Sequence, residues 1–325
     1  MDYKSECMTV TTRNVITMML MLLNPVYAPK FFRHGMKSQS AMEYLMTYGW
    51  AILIIATVLF LLFQLGFFNG SMFAARAPAG ACQVFRTSAG TSLQGECQGE
   101  LPQYVAYFNG ASYITVPYSL GSYTNGPFTV SVWASPAANN PGCTTAVSAG
   151  SATSPALFLL YIGENGACGG NDAIRLYWDD GAILVYGTSA SVSNSWHNYV
   201  VTKQGTSFTV YLNGAVVGTP SGSVISNTLL STFIGAYDYE GTNGGQYFPG
   251  DLANIQIYNT SLSQAEVTAL YTEGIGGAPI RPQNLTGWWP LNGNMNDYSG
   301  NNDNGQIGTG SVSYTSSWTS GYTAP

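Results

Sequence analysis

Two kinds of hydrophobic pattern divide the chain. Between Glu43 and Arg76 no charged residue occurs, and from Trp50 to Phe68 the sequence is apolar except at Thr57, Gln64 and Gly66. A run of this length predicts a helix able to cross a hydrocarbon core of roughly 30 Å. An earlier run, Val15 to Leu23, reaches only about half of such a span and is ended by Asn24-Pro25. Beyond Arg76 the pattern changes to short segments of period two: Tyr113 to Val116, Phe128 to Trp133, Ile174 to Trp178, Ile183 to Tyr186, Tyr199 to Thr202 and Phe208 to Leu212. The dipeptides Asn109-Gly110, Asp180-Gly181 and Asn213-Gly214 separate them. Half-buried strands joined by turns of this chemistry predict an antiparallel all-β sandwich.

Composition supports that division. Only 8% of the 325 residues are charged, while Gly numbers 38, Tyr 22 and Trp 7. Helical bundles need Lys, Glu and Arg on their wet faces, so the outer part is not one of them. A net charge of -6 with few basic residues excludes the electrostatic footprint of nucleic-acid binding. Lys30, Arg33 and Lys37 precede the apolar helix and Arg76 alone follows it closely. The positive-inside rule then places the C-terminal bulk outside the cell membrane, as a single-pass protein.

The flanks of the apolar run carry a more specific signal. The stretch Lys37-Ser38-Gln39-Ser40-Ala41-Met42-Glu43-Tyr44-Leu45-Met46-Thr47-Tyr48-Gly49-Trp50-Ala51-Ile52-Leu53 resembles the archaeal class III signal peptide of type IV pilin-like proteins. A secretory signal would place its cleavage site after the apolar run, whereas this small-residue site lies before it. The resemblance implies that a prepilin-type peptidase cuts between Ser38, where the family usually has Gly, and Gln39. Glu43 would then be the fifth residue of the mature chain. A carboxylate at membrane depth is costly, and pairing with the α-amine of Gln39 on a neighbouring subunit would offset that cost in a filament. The alternative is a simple anchor with Glu43 at the water interface. A start at Met36 would by itself give a brief basic leader.

The outer segments, in order, resemble a laminin-G-like, concanavalin-A-like jelly roll. The motifs are Tyr107-Phe108-Asn109-Gly110-Ala111-Ser112-Tyr113-Ile114-Thr115-Val116-Pro117, Phe128 to Trp133, Trp196-His197-Asn198-Tyr199-Val200-Val201-Thr202, Val210 to Gly214, and Gly250 to Asn259. Leu262-Ser263-Gln264-Ala265-Glu266-Val267 then opens a helix. Leu285 to Asn302, with Gly287-Trp288-Trp289-Pro290-Leu291-Asn292-Gly293-Asn294, looks like the family's opening strand and loop but stands at the end. Circular permutation closed within one chain accounts for this, as does donation of the strand to a neighbouring subunit. Val312 to Trp318 reads as one more strand. The expected organisation is a leader over 1–38, a pilin-like transmembrane helix over 39–75, a Cys-containing linker over 76–103, the jelly roll over 104–274 and a completing segment over 275–325.

Candidate chemistry is sparse. Cys7 belongs to the leader, which leaves Cys82, Cys97, Cys143 and Cys168 as an even set that suits disulfides in an exterior protein. Pairing Cys82 with Cys97 and Cys143 with Cys168 is one of three connectivities. Calcium is the cofactor to consider: Asn292, Asn294, Asn296, Asp297 and Asp303 form an oxygen-rich loop, and Asp238, Glu240 and Asp251 form another acidic set. Turns select the same residues without any metal. His197 reads as structural. Jelly-roll glycosidases carry two carboxylates alternating on one strand, and the nearest approach is Asp238-Tyr239-Glu240 in a Gly- and Tyr-rich loop. Trp178, Tyr237, Tyr239 and Tyr247, with Asp238 and Glu240 nearby, could instead stack on sugar rings or pack in the core. Asn69, Asn259 and Asn284 head Asn-x-Ser/Thr sequons. The expected function is adhesion or carbohydrate or protein binding at the cell surface, by a filament subunit or an anchored protein. A membrane-tethered glycan-active enzyme is the alternative.

Overall fold

The computed structural model describes residues 39–64, 76–97, 101–117, 126–137, 144–151, 154–162, 174–178, 182–186, 193–222, 231–237 and 245–325. The chain divides into two units, Met1–Phe68 and Asn69–Pro325. The first holds helix α1, Gln39–Gln64. Gln39 opens this helix and Glu43 lies one turn further on, while Ser38 lies outside the described residues. Ile52, Leu53, Ile54 and Ile55 are all more than half exposed. Four consecutive positions cover the whole circumference of a helix, so over this stretch α1 is apolar and exposed all round. Thr57 Oγ1 donates to the Leu53 carbonyl at 2.7 Å, which satisfies its hydroxyl among these neighbours. Among the described residues no helix is long and apolar enough to cross a membrane.

The second unit is built from strands β1 (Arg76–Ala77), β2 (Cys82–Thr87), β3 (Gly90–Gly95), β4 (Leu101–Pro102), β5 (Val105–Asn109), β6 (Tyr113–Val116), β7 (Phe128–Pro136), β8 (Thr145–Ser151), β9 (Ser154–Ile162), β10 (Ile174–Trp178), β11 (Ala182–Tyr186), β12 (His197–Gln204), β13 (Ser207–Leu212), β14 (Ala215–Gly218), β15 (Ser231–Ile234) and β16 (Pro249–Tyr258). Helix α2 (Gln264–Thr272) and strands β17 (Leu285–Trp289), β18 (Gln306–Thr309) and β19 (Ser313–Thr315) follow. One sheet runs β11-β10-β9-β8-β15-β6-β18 and the other β14-β13-β12-β7-β16-β5-β19, with β17 also on β16. These two sheets make the unit an all-β jelly-roll sandwich.

Alternation explains the layers. Ile114, Phe158, Leu176 and Ile234 of one sheet meet Phe108, Val130, Val201 and Ile257 of the other in a dry core. The outer face of the eight-stranded sheet is covered as well: Val200, Tyr211 and Tyr258 pack against Val267 and Leu270 of α2 and Val84 of β2. Asn213 and Gly214 both have positive φ, the conformation a two-residue hairpin turn requires between β13 and β14. Ser263 and Glu266 cap α2 reciprocally. Burial alone would raise the Glu266 carboxyl, but hydrogen bonds from Ser263 and Arg281 outweigh it and hold the group below its ordinary range.

Residues beyond 285 complete both sheets. The first half of β16 pairs with β5 and its second half with β17, end to end along one edge, while β7 runs along the other. β18 pairs with β6, and β19 with β5. All these pairings lie within the one chain. A bulge in β16 puts Asn254 at φ 48°, where its Oδ1 accepts from Trp288 Nε1 at 2.8 Å and from Gln256 Nε2 at 2.9 Å. The buried amides at the bulge are thereby satisfied. Cys82 and Cys97 are joined by a disulfide across the β2–β3 hairpin. Arg86 of the same hairpin donates to the carbonyls of Ser299, Pro282 and Leu285, tying it to the completing segment.

Candidate functional site

Alternation decides the fate of the expected sugar platforms. Trp178 shares the inner face of β10 with Ile174 and Leu176, and it is 1% exposed. Phe208 meets its ring edge-on at 4.9 Å, and Lys203 Nζ lies 5.5 Å from the ring centre. Trp178 is therefore a core residue rather than a ligand platform, because a large ring at that parity can only fill the space between the sheets. Tyr237 is buried too. Asp238, Tyr239 and Glu240 lie outside the described residues, as do Cys143, Cys168 and Asn69.

The loop considered for calcium is filled by the protein itself. Asp297 Oδ1 accepts from the N–H groups of Trp288 and Ser299 at 3.0 and 2.8 Å, and its Oδ2 accepts from Ser299 Oγ and the Asp303 N–H at 2.8 and 3.0 Å. Asn292 Oδ1 accepts from the Tyr104 N–H, and Asn294 Oδ1 from the Asn296 N–H. Burial, and then the neighbouring Asp297 charge, push the Asp303 carboxyl up. Oxygens spent on backbone donors do not form an ion cage, and among the described residues no group of three or more His, Cys, Asp or Glu side chains could hold a metal. The set does not fit calcium. It fastens β17 to the loop that follows it.

His197 is structural in its contacts. Its Nδ1 lies 2.8 Å from Asn213 Nδ2, whose Oδ1 accepts from the Asn198 N–H. Burial pulls the imidazole below its usual range, against the smaller opposing effect of that amide.

A different constellation stands on the outer face of the eight-stranded sheet. Ser313 of β19, Tyr107 of β5, Asp251 of β16 and Ser135 of β7 are register partners in turn across four adjacent strands. Partners in register point to the same face, with strands about 4.8 Å apart. Phe108 and Leu252 face the core, so Tyr107 and Asp251 face out. Exposure falls along the row: Ser313 is exposed, Tyr107 is 43% exposed, Asp251 is half-buried and Ser135 is buried. Asp251 Oδ1 is buried with no hydrogen-bond partner among the described residues. Burial raises its carboxyl from 3.8 to about 6. An acceptor left unfilled in such a place costs about 1–3 kcal/mol.

This row was only partly legible beforehand. In the sequence Asp251 falls into one acidic set with Asp238 and Glu240, which are near it along the chain. The partner it has is Tyr107, more than a hundred positions away, and cross-strand register is what joins them. The usable signal was parity: Tyr107 precedes a core Phe and Asp251 precedes a core Leu.

Residues 108–268 match the family model described as the concanavalin A-like lectin/glucanases superfamily, of laminin G-like type. The matched stretch is just under half of the chain, and it contains Asp251 and Ser135 while Tyr107 lies one residue before it. No curated protein matches the chain. Among solved structures, a Bacteroides ovatus protein named provisionally as carbohydrate-binding aligns at 14% identity and a TM-score of 0.51, over 70% of this chain and 64% of its own length. The chain thus spans just under two thirds of that protein. A heptameric SAP-like pentraxin from Limulus polyphemus aligns at 16% identity and a TM-score of 0.48, over 66% of this chain and 94% of its own. The CBM40 of the Ruminococcus gnavus IT-sialidase, solved with α2,3-sialyllactose, aligns at 15% identity and a TM-score of 0.42, over 51% and 96%. At these identities the likeness is one of fold.

Proposed function

We propose that this is a cell-surface protein, held in the membrane through α1, whose jelly roll binds carbohydrate on the row Tyr107, Asp251 and Ser135. The observation that carries the reading is the buried, unpartnered oxygen of Asp251 beside a tyrosine ring left open to solvent. Stability alone would select against that oxygen, and a ligand hydroxyl would fill it. Tyrosine offers a flat apolar face for a sugar ring, and the carboxyl and serine offer acceptor and donor for its hydroxyls. The carboxylate disfavours anionic sugars, so the ligand class is a neutral oligosaccharide. The fold is in keeping with the assignment, which rests on the row itself.

Titration of the full chain in detergent with maltotriose, cellotriose and mannotriose tests this. Binding of at least one is expected, weakened about tenfold or more by Tyr107→Ala and by Asp251→Asn. This corresponds to the roughly 1.4 kcal/mol or more of a stacked ring or a charged hydrogen bond. Equal affinity for 3′-sialyllactose, or binding indifferent to both substitutions, would overturn it. Hydrolysis of the same sugars followed by chromatography separates binding from the glycan-active alternative.

The location rests on the apolar circumference of α1, the basic residues before it and the resemblance of residues 37–53. In this reading a prepilin-type peptidase releases a chain beginning at Gln39, and Glu43 pairs with that terminus on a neighbouring copy in a filament. Terminal sequencing with electron microscopy of surface fractions is the test. Detergent-soluble monomers retaining Met36 would leave an anchor and remove the filament.

A further inference from the structure

Two of the three sequons meet in space. Asn259 follows the last residue of β16, and Asn284 precedes β17, its neighbour on the same edge. The Asn259 N–H donates to the Asn284 carbonyl at 2.9 Å, and Asn284 Nδ2 donates to Asn259 Oδ1 at 3.0 Å. The pair is therefore asymmetric. The nitrogen of Asn284 is engaged, and the hydroxyl of its sequon threonine, Thr286, is buried and donates to the Ile257 carbonyl at 3.0 Å. Asn259 uses its oxygen instead, its sequon serine, Ser261, is half-exposed, and its side chain borders an open groove of about 430 Å³. Arg86, Gln283, Asn301 and Asp303 line that groove with polar groups suited to a proximal sugar, and Leu285 and the buried Thr286 complete its wall.

We propose that Asn259 is an N-glycosylation site of the folded protein and that Asn284 is closed to the same reaction. The proposal rests on the exterior location given above. The donor is an oligosaccharide activated at C1 as a phosphate ester. Its C1–O bond breaks, a C1–Nδ2 bond forms, and the amide proton leaves with the phosphate. The product keeps Asn259 Oδ1 as an acceptor, so the bond from Asn284 survives. The same transfer at Asn284 would set a sugar where Asn259 already sits and would require Thr286 to leave the strand pair.

The test is glycopeptide mass spectrometry of the full chain, purified from membranes of a host that N-glycosylates exported proteins. The expected result is a sugar on the peptide containing Asn259, an unmodified Asn284, loss of that sugar in Asn259→Gln and its retention in Asn284→Gln. Occupancy at Asn284 equal to or above that at Asn259, or a bare Asn259, overturns the proposal. Labelling of intact cells with a membrane-impermeant reagent identifies the cause. A chain reached from outside with Asn259 bare defeats this inference alone, and a chain not reached defeats the location with it.

Discussion

Asp251 shows how one side chain can be read two ways and why the distinction is measurable. Its carboxyl titrates near 6 in the folded chain against 3.8 in the unfolded one. The folded state thus binds the extra proton between those values, and stability falls as pH rises through about 4 to 6. At neutral pH the ionised group costs the fold on the order of 1–3 kcal/mol. Asp251→Asn is expected to raise Tm at pH 7 and to flatten that slope, as thermal melts from pH 4 to 8 would show. An unchanged melt would mean that solvent already reaches the group. Trp178 gives the converse lesson. Its neighbours Ile174 and Leu176 set its parity, but a strand buried on both faces and one buried on a single face read alike there, so the sequence left platform and core both open and packing decided for the core.

At the scale of elements, strands and their turns were the legible part, because period two and Asn-Gly pairs act locally. β6 and β10 occupy the expected segments, and Ser263 caps α2 where the helix start was read. Ser263→Ala is expected to cost about 0.5–2 kcal/mol, read from denaturant melts, through the loss of both reciprocal cap bonds. The β2–β3 hairpin was not foreseen as an element. Its cysteines were visible, whereas the alternation Gln83, Val84, Phe85 is too short to announce a strand and gains its meaning only from Val84 under α2. The Cys82–Cys97 bridge closes a separation of 15 residues. Replacing both cysteines by serine is expected to cost about 3 kcal/mol, or roughly 5–10 °C in Tm for a domain of this size. Retention of the wild-type melt would show that Arg86 and Val84 hold the hairpin unaided.

The molecule as a whole depends on its last segment more than its order along the chain suggests. The sequence motif at Leu285 to Asn302 identified an opening strand in a closing position, and the structure pairs it within the chain. What motif reading lacked was that β18 and β19 go to opposite sheets, a choice set by the register of β6 and β5. A chain lacking residues 285–325 would expose one edge of β16 and leave Trp289 out of the core, so it is expected to stay unfolded or aggregate, as judged by near-ultraviolet circular dichroism. A soluble, native-like spectrum from that truncation would show the segment to be dispensable. The end-to-end seating of β5 and β17 on β16 also orders events in time. β16 cannot finish its edge until more than twenty-five further residues have emerged, so the sandwich waits on Leu285–Trp289 to leave the ribosome. Until then a half-built sheet stands with its edge open, a template for pairing with another chain at the moment of synthesis.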